Sequence, residues 1–320
     1  MTADALPGGW KRPLGGTGLT VTAICVGGGV LGGMPEIFGY DVPAEDAIAF
    51  VQGVLGSPIR FIDTSNGYSG GRSEERIGKG IRRFGGLPDD FLVATKVDAK
   101  NGDYSGTRVR ASVEESVNRL GFAPLPLVYL HDPEFHDFDM MTAPGGAVDA
   151  LVELRRSGTV GHLGVAGGDT RVMRRYLELG VFEVLLTHNR WTLVDRSAGP
   201  LIDQAVRAGV PVVNAAVYGG GILADPHGGS ANYGYRPASP ATLSAIERMA
   251  HACDRRGTDL RTAALAYSLR DRRVASTIVG LSKASRLEGL LAAADAELPD
   301  ELWEELEELV PSAENWLDAD

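Results

Sequence analysis

The sequence predicts an α/β protein folded as a (β/α)8 barrel, the TIM-barrel architecture. Short apolar runs alternate with amphipathic stretches along the chain, and eight of the apolar runs have the composition of buried strands. Eight parallel strands joined through helices close into a barrel, and such a barrel typically needs about 250 residues. Since no linker or charge block interrupts the alternation, we interpret residues 1–320 as a single domain.

The predicted strands are rich in Val, Ile and Leu and lack the strict alternation of a sheet with one face in water. This pattern is typical of parallel strands that are buried on both faces. The predicted strands are residues 23–28, 60–65, 91–97, 127–132, 162–167, 184–188, 212–217 and 276–280.

The segments between the strands carry helix signals at their ends. Pro43 precedes one segment, Ser73 suits the N-cap of another, and Gly121 and Gly158 suit helix C-termini. Residues 11–22 predict an N-terminal β-hairpin across the barrel floor, with GGTG as its turn. Helices are predicted at 44–55, 73–84, 107–121, 146–158, 171–180, 197–209, 240–257 and 259–271, with extra helices at the C-terminus.

The chain is acidic, with a formal net charge of -11 and a pI of about 5.1. This balance argues against nucleic acid and anionic membranes as partners, because both attract basic proteins. The opening MTADALPGGWKRP has no apolar segment of the secretory type, and no window is apolar enough for a membrane span. We therefore expect a soluble cytoplasmic protein with a small-molecule substrate, and the sequence leaves its oligomeric state undetermined.

One motif favours a different fold, the doubly wound dinucleotide-binding sheet. GGGVLG at 27–32 formally matches G-x-G-x-x-G after a strand. In that fold a helix begins at once, so that its N-terminus meets a pyrophosphate. Here Pro35, Gly39 and Pro43 interrupt the next ten residues or so, which argues against this interpretation.

Four polar residues fall at or just after the carboxyl ends of three consecutive predicted strands. Asp63 ends the second strand, Tyr68 follows in its loop, Lys96 lies in the third strand and His131 near the end of the fourth. In a TIM barrel this rim carries the active site. A lysine in an apolar strand also needs a partner, because lysine is rarely buried unpaired.

These residue types together can act as an acid and base on a carbonyl or alcohol. An ammonium about 4 Å from a phenol lowers the pKa of that phenol by up to about three units from its ordinary value near 10. Lys96 is therefore expected to bring the pKa of Tyr68 towards neutrality, while Asp63 keeps Lys96 charged and His131 orients the substrate oxygen. Taken one at a time, each residue also has a structural interpretation. Asp63 suits the cap of a loop, Tyr68 suits a half-buried aromatic at the rim, Lys96 suits a structural ion pair with Asp63, and His131 suits a histidine of the core.

Here the sequence resembles a known family, the aldo-keto reductases. FIDTSNGYSGGRSEERIG (61–78) resembles the family signature, and ATKV and LVYLHDPE resemble the strands that supply its lysine and histidine. The resemblance extends from about residue 13 to about residue 294. It implies an NAD(P)-dependent oxidoreductase without a metal, in which Tyr68 is the general acid and base, Lys96 and Asp63 activate it, and His131 orients the substrate.

The resemblance also implies where a nicotinamide cofactor binds, with NADP favoured over NAD. Lys283 and Arg286 fall where the family contacts a 2′-phosphate, whereas Leu290, Ala215 and Ala166-Gly167 depart from the family pattern. His188 replaces a glutamine that binds the carboxamide. The implied cofactor residues are Gly28, Asp63, His188, Gly219, Gly220, Gly221, Leu223, Gly280, Ser282, Lys283 and Arg286.

The loops that would form the substrate pocket mix aromatic residues with hydrogen-bond donors. Besides Tyr68 and His131, we expect Asn189, Arg190 and Trp191 to contact the substrate, with Trp191 as a platform for a sugar ring. RWTLVDR (190–196) and GGGIL (219–223) also resemble sugar 1-dehydrogenases within the family, so C1 of a monosaccharide is the expected reacting carbon. The other carbonyl candidates are a sugar derivative, a keto-glycoside and a small aldehyde or ketone.

Two other classes of protein remain open from the residues alone. A metal-dependent TIM-barrel hydrolase would use Asp63, His131 and His188 as ligands. Such enzymes generally also take a ligand from the first strand, which here ends in GGG. A regulatory subunit that binds a cofactor without turnover is the other, and the complete set of four residues argues against it.

Overall fold

The computed structural model describes residues 10–33, 35 and 40–319 and contains a closed barrel of eight parallel strands. A two-stranded hairpin, β1 (Lys11–Pro13) and β2 (Thr20–Thr22), precedes the barrel. The barrel strands are β3 (Ile24–Gly27), β4 (Phe61–Asp63), β5 (Leu92–Val97), β6 (Leu125–His131), β7 (Val160–Gly167), β8 (Val184–His188), β9 (Val212–Ala215) and β12 (Val274–Gly280). Strand β12 pairs with both β9 and β3 and so closes the barrel.

Helices connect the barrel strands on the outside, as the predicted alternation requires. They are α1 (Ala44–Leu55), α2 (Arg72–Phe84), α3 (Gly106–Leu120), α4 (Phe138–Thr142), α5 (Ala147–Arg156), α6 (Thr170–Glu178), α7 (Gly199–Arg207), α8 (Pro240–Asp254), α9 (Leu260–Arg270), α10 (Ser285–Ala294) and α11 (Asp300–Glu308). The caps explain several boundaries. Ser105 accepts from the Arg108 amide at the start of α3, and Asp259 accepts from the Thr262 amide at the start of α9.

The predicted fold is confirmed, with local differences. All eight predicted strands are present. The doubly wound alternative is excluded because the strands form a closed barrel and because residues 29–32 form a short 3-10 turn in place of the helix that the alternative requires. The sequence did not predict the short helix α4 or the small hairpin of β10 (Asn232–Tyr233) and β11 (Arg236–Pro237) in the loop after β9. Both lie in loops whose polar composition carries no periodic signal.

The N-terminal hairpin closes one end of the barrel, as predicted. Leu14 is fully buried and packs among the first residues of barrel strands, including Phe61 and Leu92. The hydrophobic effect therefore fixes the hairpin against the amino ends of the strands. The opposite, carboxyl ends remain for polar side chains.

The C-terminal segment returns to the carboxyl ends of β7 and β8. Asp318 accepts hydrogen bonds from the Thr170 amide at 2.8 Å and from Arg190 Nε at 2.9 Å. The Leu317 amide donates to the Asp195 carboxylate at 2.7 Å. The last residues thus hold in place the loops that follow two barrel strands. Among the described residues, no helix is long and apolar enough to cross a membrane.

Candidate active site

The polar residues predicted at the strand ends lie on three adjacent barrel strands. Strand β4 pairs with β5, which pairs with β6, so Asp63, Lys96 and His131 come to one side of the same rim. Asp63 and Lys96 are 3% and 2% exposed. Charged groups that are this deeply buried need partners, because desolvation costs several kcal/mol per isolated ion.

Lys96 supplies the link between the acid and the phenol. Its ammonium forms a short ion pair with Asp63 Oδ1 and donates to the Thr64 carbonyl at 2.8 Å. The Lys96 ammonium also donates a third hydrogen bond, to Tyr68 Oη at 3.3 Å. An ammonium has three donors, and all three are therefore accounted for by groups of this site.

The pKa values of Lys96 and Tyr68 agree with the prediction for the lysine and contradict the prediction for the tyrosine. Burial alone would lower the pKa of Lys96, but the Asp63 carboxylate and Tyr68 raise it above its usual value. Lys96 therefore stays charged, as predicted. Burial raises the pKa of the Tyr68 phenol above its usual range, although Lys96 opposes this shift. The expected pKa near neutrality is thus wrong, and Tyr68 holds its proton at neutral pH.

The loop after β4 aims Tyr68 at His131. Ser69, Gly70 and Gly71 have φ values of 54°, 65° and 96°, so the chain turns sharply directly after the tyrosine. The rings of Tyr68 and His131 meet edge to face with centroids 5.6 Å apart. Residues with side chains rarely adopt a φ of 96°, which explains why glycine occupies position 71 of the turn.

Asp98 fixes the orientation of His131. Its Oδ1 lies 2.6 Å from His131 Nδ1, while its Oδ2 accepts from the Gly67 amide at 2.6 Å and from the Ser65 hydroxyl. Burial would lower the pKa of His131, but Asp98 and Asp132 raise it above its usual value. With Nδ1–H directed at Asp98, a protonated His131 presents its Nε2–H to a ligand.

Asp98 is a site residue that the sequence reasoning missed. It follows strand β5 directly, two positions after Lys96, so it stands at the same rim of the barrel. That position was the available signal, because polar residues just beyond strand ends are the candidates in this fold. Tyr104 was missed as well, and its hydroxyl contacts the backbone of both Val97 and His131.

The metal set considered from the sequence does not form. Asp63 is paired with Lys96, and His131 Nδ1 is held by Asp98. Within the described part of the chain, the one group with metal-ligand spacing is Asp132, Glu134 and His188, whose ligand atoms lie within 4.8 Å of one another. Because Asp63 and His131 already have partners in the site, the hydrolase alternative loses its ligand set.

Of the predicted substrate contacts after β8, Asn189 and Arg190 stay predictions, whereas the packing of Trp191 contradicts its predicted role. Asn189 is fully buried, and Arg190 is bound to Asp318. Trp191 is 9% exposed and packs against Tyr267 of α9, with ring centroids 5.7 Å apart, and near the Arg273 guanidinium. Trp191 is therefore a core residue and not an open platform for a sugar ring.

The glycines after β9 form an open backbone turn. Gly219, Gly220 and Gly221 have φ values of 59°, 83° and 112°, a conformation that side-chain-bearing residues rarely adopt. Gly220 and Gly221 are exposed, whereas Gly219 is buried against Tyr233, and the amides of Gly219 and Gly221 donate to the Ala216 and Tyr218 carbonyls. Leu223 is fully buried and its amide donates to the Tyr218 carbonyl. Neither its side chain nor its amide is therefore available for a cofactor.

The remaining cofactor candidates lie near the closing strand of the barrel. Gly280 ends β12 beside Gly27 of β3, and Gly28 donates its amide to the Asp63 carbonyl at 2.7 Å. Ser282 is buried, whereas Lys283 and Arg286 at the start of α10 are exposed. Leu290 faces the core, and Asp63 Oδ2 is buried without a hydrogen-bond partner.

A barrel with this acid, ammonium, phenol and imidazole at one rim defines an oxidoreductase that acts on a carbonyl or alcohol, and the comparisons agree. The chain belongs to the aldo/keto reductase family, whose model matches residues 23–311. It is 32% identical over 287 residues to L-galactose dehydrogenase of Arabidopsis thaliana, covering 88% of this chain and 87% of the relative.

Other relatives are similar over nearly the whole chain. Pyridoxal 4-dehydrogenase of Microbacterium luteolum is 30% identical, covering 92% and 95% of the two chains. D-threo-aldose 1-dehydrogenase of a Pseudomonas species is 28% identical, covering 92% and 96%. An aldo-keto reductase of Bacillus halodurans, solved in its holo form, has a TM-score of 0.78, covering 97% and 99%, and at 22% identity this likeness concerns the fold alone.

Proposed function

We propose that the protein is an NAD(P)-dependent aldose 1-dehydrogenase, which transfers hydride between C1 of a monosaccharide and a nicotinamide. The observation that carries this proposal is the continuous contact from Asp63 through Lys96 to Tyr68, with His131 beside the phenol. The naming of two relatives as sugar dehydrogenases supports C1 of a sugar as the reacting carbon.

In the reductive direction Tyr68 is the proton donor. Its phenol keeps its proton because burial raises its pKa, and a protonated phenol beside an ammonium is suited to give a proton to a developing alkoxide. His131 orients the oxygen through Nε2–H while Asp98 holds the other ring nitrogen. In the oxidative direction Tyr68 must first lose its proton to solvent, and its phenolate then receives the proton from O1 of the sugar hemiacetal while C1 gives up hydride and becomes the carbonyl carbon of a lactone.

A nicotinamide dinucleotide would supply or accept the hydride at this site. The residues that support its binding are the open glycine turn at 219–221 and the exposed cations Lys283 and Arg286 at the start of α10. Glycines without side chains let a ligand come close to the backbone, and an ammonium and a guanidinium are suited to phosphate oxygens. The buried Asp63 Oδ2, which has no partner, can accept from a hydroxyl of the bound molecule. We propose NADP as the preferred form, because Arg286 is suited to a 2′-phosphate.

The test is a panel of substrates assayed with NADP(H) and with NAD(H), followed by the absorbance of the reduced nicotinamide. We expect turnover of aldoses such as L-fucose, D-arabinose and galactose. Activity confined to apolar aldehydes and ketones, or to glycosides whose C1 is blocked, would contradict the sugar assignment and leave the oxidoreductase class intact. Turnover of any substrate would exclude a purely regulatory role.

One observation favours a second candidate substrate. Pyridoxal 4-dehydrogenase is as similar as the sugar dehydrogenases, so an aromatic aldehyde belongs in the same panel. We also propose that residues 1–320 form a single cytoplasmic domain that acts on a small molecule. The barrel supports the single domain, because its strands follow one another from β3 to β12 with one small hairpin between them.

A further inference from the structure

A second polar group lies beside His131 and has no part in the proton transfer described above. It consists of Asp132, Glu134 and His188, at the carboxyl ends of β6 and β8. Asp132 Oδ2 lies 3.7 Å from His131 Nε2, and Asp132 Oδ1 lies 3.9 Å from His188 Nε2. Asp132 is thus next to the nitrogen that orients the reacting oxygen.

This group has an excess of hydrogen-bond acceptors. Asp132 Oδ1 and Glu134 Oε2 are buried atoms that have no hydrogen-bond partner. Glu134 Oε1, in contrast, accepts from the amides of Gly168 and Asp169 at 2.5 and 3.2 Å, so the Glu134 side chain is fixed in place. Buried carboxylate oxygens without donors are costly, and a ligand that brings donors relieves that cost.

The backbone conformation at Asp132 and the glycine at position 167 accommodate the Asp132 and Glu134 side chains. Asp132 has a φ of 44°, in the left-handed region, which places its side chain directly after the catalytic histidine. A Cβ at Gly167 would lie 2.5 Å from Glu134 Oε2, so glycine at this position leaves the space that the carboxylate occupies.

We propose that Asp132, with Glu134 beside it, determines substrate specificity by accepting hydrogen bonds from the hydroxyl group on the carbon next to the reacting carbon. The substrate class is then α-hydroxy aldehydes and their cyclic hemiacetals, and this inference rests on the proposed function. Asp132 Oδ2 lies 3.7 Å from His131 Nε2, so the hydroxyl on the carbon next to C1 would come within reach of the Asp132 carboxylate when His131 Nε2–H binds the oxygen on C1. A hydroxyl supplies the donor that the carboxylate lacks.

The test compares an aldose with its 2-deoxy analogue in the wild-type protein and in Asp132→Asn. Asparagine tolerates the left-handed backbone, so the variant keeps the local fold while the carboxylate charge is lost. For the wild type we expect kcat/KM to fall about 10- to 100-fold on removal of the 2-hydroxyl, the range for a hydrogen bond to a charged group. Because the asparagine amide oxygen still accepts a hydrogen bond but carries no charge, Asp132→Asn should show a smaller loss with the aldose, and removal of the 2-hydroxyl should cost the variant less than it costs the wild type.

Several outcomes would overturn the inference. Equal losses for both substrates in Asp132→Asn would assign Asp132 a general role beside His131, and an unchanged kcat/KM would remove it from the site. Activity lost on dialysis against a chelator and regained with a divalent cation would make the group a metal site. If the wild type oxidises no aldose, the proposed function fails first. Asp90→Asn, at the distant barrel floor near Lys11 and Arg60, is the matched control and should change nothing.

Discussion

The two halves of the active-site rim differ in how firmly their polar side chains are held within the protein. On the side of β4, β5 and β6, Lys96 has a partner for each of its donors and Asp98 uses both carboxylate oxygens. On the side of β8, β9 and β12, the glycine turn at 219–221 is open and Arg286 is exposed. The first side is arranged before any ligand binds, whereas the second leaves donors and space for one.

Under the proposed function, this difference corresponds to separate roles for the two sides. Catalytic groups must be held close to their working geometry, because small displacements cost large factors in rate. Groups that hold a cofactor through phosphates can remain hydrated until it arrives. Substitutions on the first side should therefore change turnover, and those on the second side should change affinity.

Tyr68→Phe should give the largest effect on turnover. It removes the proton donor while Lys96 remains bound to Asp63 and the Thr64 carbonyl, so we expect kcat to fall by about 10²-fold or more with nearly unchanged cofactor affinity. Steady-state kinetics and a fluorescence titration measure the two quantities. Tyr176→Phe, which removes a hydroxyl buried in the core without a partner, is the control and should keep full activity. Wild-type turnover in Tyr68→Phe would remove Tyr68 from the mechanism.

Asp98→Asn should lower kcat by about 10-fold and move its pH profile, because a less well oriented histidine also becomes less basic. Asp98 raises the pKa of His131, so the alkaline limb of the reductive reaction should shift to lower pH in the variant. Because the pKa of His131 is higher in the folded than in the unfolded protein, its protonation stabilises the fold at pH values below the unfolded-state pKa. This stabilisation is lost as the pH rises through the folded-state pKa.

The stability of Asp98→Asn provides an independent readout of the same ion pair. The pKa of Asp98 is lowered by His131, against the effect of burial, so its contribution is lost as the pH falls through that lowered value. Relative to the wild type, Asp98→Asn should therefore lose the most free energy of unfolding between the folded-state pKa values of Asp98 and His131. The loss should be smaller at alkaline pH, and denaturant unfolding measures both. A pH profile that does not move would contradict the role of Asp98.

Arg286→Ala should have the smallest effect on turnover, because its loss is confined to the affinity for one form of the cofactor. We expect the affinity for NADP(H) to fall about 10- to 100-fold while that for NAD(H) stays the same, as for the loss of a charged contact to the 2′-phosphate. Arg83→Ala, which breaks an exposed pair with Glu45 on the outside of the barrel, is the control. Equal losses for the two cofactors would mean that Arg286 does not contact the 2′-phosphate.

The same comparison explains which parts of the site the sequence could predict. Asp63, Lys96 and His131 were predictable because each lies at the carboxyl end of its own strand, and the barrel brings these ends together. Asp98 was missed because its role depends on contacts to His131 and Gly67, which are 33 and 31 residues away along the chain. Its position after the strand is a signal, but not a specific one.

The incorrect predictions have one physical cause, which is burial. The loop around Trp191 has the composition of a polar pocket, yet Tyr267 of α9 covers the indole. The expected neutral pKa of Tyr68 considered the charge of Lys96 without the desolvation of the phenol, and desolvation is the larger effect. Neither the packing of a helix onto a loop nor the depth of a hydroxyl can be read from residue spacing.

The most direct test of the central claim is the fate of the hydrogen on C1. An aldose that carries deuterium at C1 is incubated with the wild-type protein and the oxidised cofactor, and the reduced cofactor is analysed by NMR and mass spectrometry. We predict that deuterium is recovered at C4 of the nicotinamide with a lactone as the sugar product. Deuterium released to solvent, or retained in the sugar while the cofactor stays oxidised, would contradict direct hydride transfer from C1.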